Sequence, residues 1–305
     1  MGDSTQELYE MYPLEDKSDF FLAYTYLKYL DHFIHHALQG SGLPSKGPPG
    51  ELHEDIDKLL EMMVKGIGDA APDPNTSVYH AKVVKLKDAV QLLTQKHDLS
   101  LETPEQIIPY KTAKDIILKN PDSIALGECV CRSGSAEHCS PMEVCMFVGD
   151  PVASFLADEN PKFRKISQEE AVAIVEAEHK RGHVQTAWFK KELGRRFYCV
   201  CNCCGCCCLG VRMWNILGGA IPILTPSGYL CHVGDQCNGC GECLEYCQFN
   251  AISLDEDQQR AVIDTVKCMG CGVCEDVCPA GAMILERDPS KGEPLDIEEL
   301  VSKAT

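Results

Sequence analysis

The chain has 305 residues, 45% of them hydrophobic, and a formal net charge of −18. That length suits two or three domains with ordinary cores, and an acidic surface of this size excludes nucleic acid as a partner, because phosphate binding needs a basic footprint. The unusual quantity is twenty cysteines, none before Cys129 and none after Cys278. A chain of this size has no need for so many disulfide staples. The start, Met1 to Glu7, is polar and acidic and lacks the basic, then apolar, order of a secretory signal. No apolar stretch approaches the roughly 20 residues of a membrane span, and Arg195-Arg196 lies too far along the chain to be an export signal. The expectation is a cytoplasmic protein whose clustered cysteines bind metal rather than each other.

In chain order, residues 1–38 place Phe20, Phe21, Tyr24, Leu27, Tyr29, Leu30, Phe33, Ile34 and Leu38 at helical spacing and predict one helix. His32, His35 and His36 on it read as core or surface groups rather than ligands. Residues 40–50, rich in proline and glycine, form a loop. Residues 51–66 predict a second amphipathic helix, and residues 78–96 a third, on Val83, Val84, Leu86, Val90 and Leu93. Thr103-Pro104-Glu105-Gln106 resembles a capping box with proline at the first helical position. A helix through Ile116 and Ile117 follows and stops at Asn120-Pro121. Residues 1–120 are therefore expected to be a mainly helical scaffold or docking region without metal chemistry. In 121–228, a cysteine-rich α/β middle, Ser167-Gln168-Glu169-Glu170 is a second capping box. It opens a helix carrying Ala171, Val172, Ile174 and Val175 that Gly182 ends, and a β-like stretch follows over 183–189. Residues 289–305 read as a polar tail with a short helix from about Asp296. The fold class expected is α+β.

One repeat is internal to the chain. Cys237-Asn238-Gly239-Cys240-Gly241-Glu242-Cys243-Leu244-Glu245-Tyr246-Cys247 recurs 31 residues later as Cys268-Met269-Gly270-Cys271-Gly272-Val273-Cys274-Glu275-Asp276-Val277-Cys278. Each copy leads into an apolar strand, 250–254 and 280–285. Ala261-Val262-Ile263 precedes the second copy as a strand, and His232-Val233 precedes the first. Three cysteines at C-x₂-C-x₂-C wrap one loop around three irons of a [4Fe–4S] cube. Gly239, Gly241, Gly270 and Gly272 let the backbone fold tightly and aim amides at sulfur. The fourth cysteine of each run cannot reach its own loop's cube and serves the other. That crossing assigns Cys237, Cys240, Cys243 and Cys278 to one cluster and Cys268, Cys271, Cys274 and Cys247 to a second.

Over residues 229–288 these motifs closely resemble the bacterial two-cluster ferredoxins. The resemblance implies a ferredoxin-like dicluster domain with pseudo-twofold symmetry, two [4Fe–4S] clusters spaced for electron hopping, and low potential. The first copy departs from the pattern in carrying Gln248 where proline is usual, whereas Pro279 is present in the second.

Twelve cysteines remain. Cys129-Val130-Cys131-Arg132 is followed by Cys139 and Cys145. Seven more crowd into 199–208, and Cys231 precedes the module. Cys201, Cys204 and Cys207 repeat the C-x₂-C-x₂-C spacing, with Cys203 and Cys206 offering a rival register. Cys129, Cys131, Cys139 and Cys145 could complete that set, form a set of their own, bind zinc, or be buried thiols. At least one further iron–sulfur cluster is expected in 129–208. The CxCR segment, the helix opening at Ser167 and the run Cys201-Asn202-Cys203-Cys204-Gly205-Cys206-Cys207-Cys208, placed before a ferredoxin module, resemble a group of anaerobe proteins described only as 4Fe–4S dicluster-binding. This resemblance spans most of 105–288 and transfers no activity.

The function expected is an iron–sulfur electron carrier, or the electron-transfer subunit of an anaerobic redox complex, whose acidic surface docks on a basic patch of a redox partner. The alternative is an oxidoreductase whose middle cysteines build a catalytic cluster, with His138, His179, His183, Arg132 and Arg195 as nearby polar groups. A redox sensor is a third class. No P-loop and no dinucleotide glycine fingerprint is present, Gly218-Gly219 being too little, so nicotinamide or flavin chemistry is not expected of this chain.

Overall fold

The structure, a computed structural model, describes residues 2–13, 17–70, 79–101, 107, 116–218, 223–255, 257 and 259–304. Its centre is an eight-stranded sheet in the order β2-β3-β4-β7-β6-β1-β8, with β5 on β3. The strands are β1 Tyr79–Val83, β2 Leu99–Leu101, β3 Ile116–Glu128, β4 Glu143–Asp150, β5 Phe163–Ile166, β6 Val184–Lys190, β7 Arg196–Cys203 and β8 Leu224–Thr225. All pairings are antiparallel except β1 with β8.

The single helix expected over 1–38 is three: α1 Asp3–Glu10, α2 Lys17–Lys28 and α3 Leu30–Gly40. Pro13 cannot continue α1. Tyr29, at φ −118° and ψ 39°, leaves helical geometry, so α3 departs from α2 in a new direction. The break lets two apolar faces find different targets. Tyr24 of α2 stacks edge-on against Phe155 of α7 (Val152–Glu159), with ring centroids 5.4 Å apart, while α3 packs on α4, Glu54–Ala70. His36 on α3 bonds Asp57 on α4 at 2.9 Å, and His32 and His35 are buried.

Two other predicted helices are corrected. In place of the helix expected over 78–96, the described residues 79–96 hold β1 followed by α5, Leu86–Leu93. The β-branched Val83 sits in a slot between β6 and β8, and pairing overrides the helical pattern. Ile116 and Ile117 open β3 rather than a helix. Asn120 takes the left-handed conformation (φ 44°), its N–H bonds Asp98 Oδ1 at 3.0 Å, and the register shifts between Lys119 and Ile124. Asn120-Pro121 is thus a bulge within a strand, where proline removes no ladder bond. The capping box at 103–106 lies outside the described residues. Residue 120 falls inside β3, and β1 and β2 join the middle's own sheet.

The expected helix at Ser167 is α8, Gln168–Lys180, capped by a bond from Glu170 N to Ser167 Oγ (3.2 Å) and followed by Gly182 at φ 84°. Behind the sheet, α5, α8 and α12 (Ile297–Ala304) cover Met146, Val148, Ala187 and Val200. The tail is less polar in effect than its composition: Leu295, Ile297 and Leu300 are buried, and Ile297 N donates to Gln91 Oε1. In front, α2 and α3 cover the opposite face, with Tyr26 meeting Tyr198 of β7, O to O, at 3.0 Å.

The ferredoxin-like module follows as two interlocked halves. β9 (Tyr229–Val233) pairs antiparallel with β12 (Met283–Arg287), and β10 (Ile252–Asp255) with β11 (Arg260–Ile263). The helices α10 (Glu242–Tyr246) and α11 (Val273–Val277) occupy equivalent places in the two copies.

Candidate metal centre

In the module each cysteine loop turns on glycines in the left-handed region. Gly241 (φ 78°) and Gly272 (φ 87°) cap α10 and α11. A Cβ on Gly239 would overlap the Gln259 carbonyl, and one on Gly270 the Tyr229 carbonyl, so the loops approach the backbone of the opposite half where only glycine fits. Two small cavities result. One is lined by Cys237, Cys240, Cys243 and Cys278, the other by Cys247, Cys268, Cys271 and Cys274, with Cys231 beside them. These are the two crossed sets of the repeat.

The donor chemistry fits a cubane. Each cavity collects the four cysteines of one crossed set, the second with Cys231 in addition, and backbone N–H groups point at the sulfurs: Ala251 N to Cys247 Sγ and Ala282 N to Cys278 Sγ, both 3.3 Å, and Ala261 N to Cys237 Sγ, 3.4 Å. Burial raises the Cys278 thiol, but the N–H groups of residues 280–283 outweigh it and hold the thiol below its ordinary value. Burial, with neighbouring thiols, pushes Cys243 up to about 11. Cys240 is exposed, so the first cavity lies at the surface. Cys231 Sγ stands 3.5 Å from Cys274 Sγ.

The middle cysteines are organised by strand geometry. Successive side chains on a strand alternate faces. Cys199, Cys201 and Cys203 on β7 therefore share one face, and Val200 and Asn202 take the other. Tyr198, the extra residue at a register shift against β6, joins the cysteine face. Cys145 on β4 is paired directly with Cys201. The Sγ separations are 3.4 Å for Cys199–Cys201, 3.8 Å for Cys145–Cys201 and 4.0 Å for Cys145–Cys199. Thiol-to-thiol hydrogen bonds continue from Cys201 to Cys203, Cys208, Cys131 and Cys129. These seven sulfurs, with Cys204, line a largely apolar cavity of about 520 Å³. Its roof is Tyr26, Leu30, Phe33 and Ile34 of α2 and α3, completed by α4. The helical N-terminal residues thus enclose the cysteines.

Arg132 is the buried cation of this cavity. Its guanidinium donates to Glu178 Oε2 (2.7 Å), Asn202 O (3.1 Å) and the Pro141 carbonyl, and lies 3.1 Å from His183 Nδ1. Hydrogen bonds from Cys199 and Cys201 hold the Cys145 thiol well below its ordinary value, and Arg132 adds to this. Burial raises Cys199 instead.

The seven residues proposed from sequence for a third cluster do not converge. Cys129, Cys131, Cys145 and Cys201 face the large cavity. Cys139 and Cys207 gather with Cys204 and Cys206 at its edge. The triad Cys201, Cys204, Cys207 is split because Cys201 lies on a strand and Cys204 begins a turn. Cys203 and Cys206 stood in the sequence only as a rival register, and Cys199 and Cys208 were not singled out. The alternation Cys199-Val200-Cys201-Asn202-Cys203, a strand period, was the available signal for Cys199 and Cys203.

Other polar candidates divide clearly. His183 and Arg132 serve the Glu178 network. His179 bonds Gln185 Oε1 and Asp276 Oδ2, both at 2.7 Å, and so ties α8 to α11. His138 and Arg195 are exposed. Gln248, the residue in place of proline, accepts from Gly205 N (2.6 Å), donates to Gly182 O (3.0 Å) and offers its own carbonyl to Asn215 Nδ2 (2.9 Å). A proline there would lose the side-chain contacts that clamp the module to the middle.

Among the described residues, no helix is long and apolar enough to cross a membrane. Residues 236–282 match the family model of a 4Fe-4S dicluster domain. No curated protein matches the chain.

Proposed function

We propose that this iron–sulfur electron-transfer protein works as a low-potential carrier, or as the electron-transfer subunit of an anaerobic redox complex, with a further iron–sulfur cluster beyond the two of its dicluster domain. Cys237, Cys240, Cys243 and Cys278 would hold one [4Fe–4S] cluster and Cys268, Cys271, Cys274 and Cys247 the other. Such clusters supply one-electron chemistry with potentials anywhere from about −700 to +450 mV. The observation that carries the reading is the sequence of contacts from surface to interior. Cys240 is exposed. Cys247 of the other set precedes Gln248, which bonds Gly205 of the middle turn at 2.6 Å. The thiol-lined cavity lies beyond, and Cys129, Cys131, Cys145, Cys199, Cys201, Cys203 and Cys208 supply its donors.

Exposed Asp235, Glu242 and Glu245 flank Cys240 and favour a partner with a basic docking patch. Glycines and backbone N–H groups at the sulfurs set the electrostatics of each site. The test is iron and sulfide analysis of anaerobically prepared chain, with paramagnetic resonance of the reduced form. More than eight irons per chain are expected. Cys278→Ala should remove one dicluster signal and leave the other. Eight irons with none over would remove the further cluster, and two unchanged signals in Cys278→Ala would remove the crossed assignment.

The cavity supports a second reading. Its roughly 520 Å³ of mostly apolar space beside eight thiols has room for a substrate, as an oxidoreductase with a catalytic cluster would need. A substrate-dependent change in the cluster spectrum distinguishes that reading from a carrier, which exchanges electrons with its partner and turns nothing over.

A further inference from the structure

We propose that Cys139, Cys204, Cys206 and Cys207 hold a single zinc ion as a closed tetrathiolate site, separate from the iron–sulfur chemistry of the cavity and the dicluster domain. The four sulfurs all lie within 4.8 Å of one another. Cys139–Cys204 and Cys206–Cys207 are 3.5 Å apart, and Cys139–Cys207 is 3.8 Å. A tetrahedral ion with metal–sulfur bonds of about 2.3 Å sets its ligand sulfurs about 3.8 Å apart. The observed spacing is that of ligands meeting on one atom.

The dicluster domain gives an internal comparison. In a cubane each thiolate binds a different corner iron, so its sulfurs stand farther apart than around one ion. Among the described residues no three of the eight module cysteines have their sulfurs within 4.8 Å of one another, whereas all four sulfurs of this set do. Cys145, Cys199 and Cys201 also approach closely, but they number three, belong to a continuous run of thiols and open onto the large cavity. The Cys139 set is complete at four and sits at the edge. Four sulfur donors with no open position are the structural zinc arrangement, and soft donors in tetrahedral geometry select zinc over the hard divalent cations.

Chain connectivity gives the ion a task. Cys139 comes from the loop between α6 (Val130–Gly134) and β4, and the other three from the turn after β7, 65 residues later. The turn is held from behind by Cys208 N to Cys204 O (3.2 Å) and by Ser135 Oγ to Cys207 O (3.5 Å). Gly205, inside the ligand run, donates its N–H to Oε1 of Gln248, the residue after Cys247. A Cβ on Gly205 would lie 3.0 Å from the Gln248 carbonyl oxygen, tight enough to disturb that contact. A zinc ion here staples the 139 loop to the turn on which the dicluster domain docks.

The experiment uses the full chain purified anaerobically. Metal analysis should return one zinc per chain besides the iron, and zinc-edge X-ray absorption should show four sulfurs at about 2.3 Å. In the double variant Cys139→Ala, Cys206→Ala, zinc per chain should fall by at least about tenfold, with iron content and the reduced-cluster resonance signals unchanged. Cys145→Ala should keep the zinc. Those resonance signals report the dicluster domain independently, so loss of this proposal and loss of the electron-transfer reading are distinguishable. Wild-type chain without stoichiometric zinc overturns the proposal even if the variants do not fold. So does a fall of about four irons in the double variant, which would make this set a cluster site, or of about one iron, which would make it a mononuclear iron site.

Discussion

Replacing Arg132 with methionine tests how the cysteine cavity is held together. The side chain is fully buried and its guanidinium meets Glu178, His183, Asn202 and Pro141, groups drawn from α8, the turn after it, β7 and the 139 loop. Methionine fills similar volume but leaves the Glu178 carboxylate, also fully buried, without its main cation. Removing one partner of a buried pair costs about 3–5 kcal/mol, which for a protein of this size is a fall in Tm of roughly 10 °C. The pH dependence identifies the cause. In the wild type, burial raises the Glu178 carboxyl, but bonds from His183 and Arg132 outweigh it and keep it below its ordinary value. That stability is present above the unfolded carboxyl value and is lost only as pH falls through the lower folded value. In Arg132→Met the carboxyl rises above its unfolded value, so the deficit should be largest at pH 7 and shrink as the pH is lowered towards 5. Anaerobic guanidinium titrations at both pH values measure this. Adding Glu178→Gln should recover part of the loss. An Arg132→Met protein within about 1 kcal/mol of wild type at pH 7, with no pH dependence of the difference, would refute the reasoning.

Two glycine variants separate backbone strain from overlap. Gly281→Ala (φ 60°, open space around it) should cost about 1–2 kcal/mol and keep both cluster signals. Gly270→Ala (φ 66°) drives a Cβ onto the Tyr229 carbonyl and the Ser227 hydroxyl and should abolish the resonance signal of the cluster on its loop; equal behaviour of the two variants would contradict the packing. Lys82 is buried on β1, and burial lowers its pKa to about 7. Between pH 7 and its unfolded value near 10.4 the unfolded chain binds more protons, so stability rises with pH. The advantage of Lys82→Met over wild type should therefore shrink by about 2 kcal/mol from pH 7 to pH 9, measured by denaturant titration.

The C-terminal module was legible because its information is local and duplicated. Spacing, glycines and the 31-residue offset all describe short loops, and the loops form as they read. Ser167 is similar, since a helix cap is decided within four residues. Asn120-Pro121 and residues 78–83 misled for the opposite reason. A bulge and a slot between two strands are set by partners distant in sequence. Gln248 could be noticed as a departure but not explained until Gly182, Gly205 and Asn215 came beside it.

By itself the sequence determined which atoms this protein offers to metal, twenty thiols with eight in a self-consistent repeat, because ligand type and loop reach are properties of short segments. Tertiary structure decided how the other twelve divide. β4 and β7 pair so that Cys145 meets Cys201, strand alternation gathers Cys199, Cys201 and Cys203 on one face, and the turn that follows carries Cys204, Cys206 and Cys207 away to Cys139. Which sulfurs meet depends on sheet register between segments more than fifty residues apart, and spacing along the chain does not carry that register.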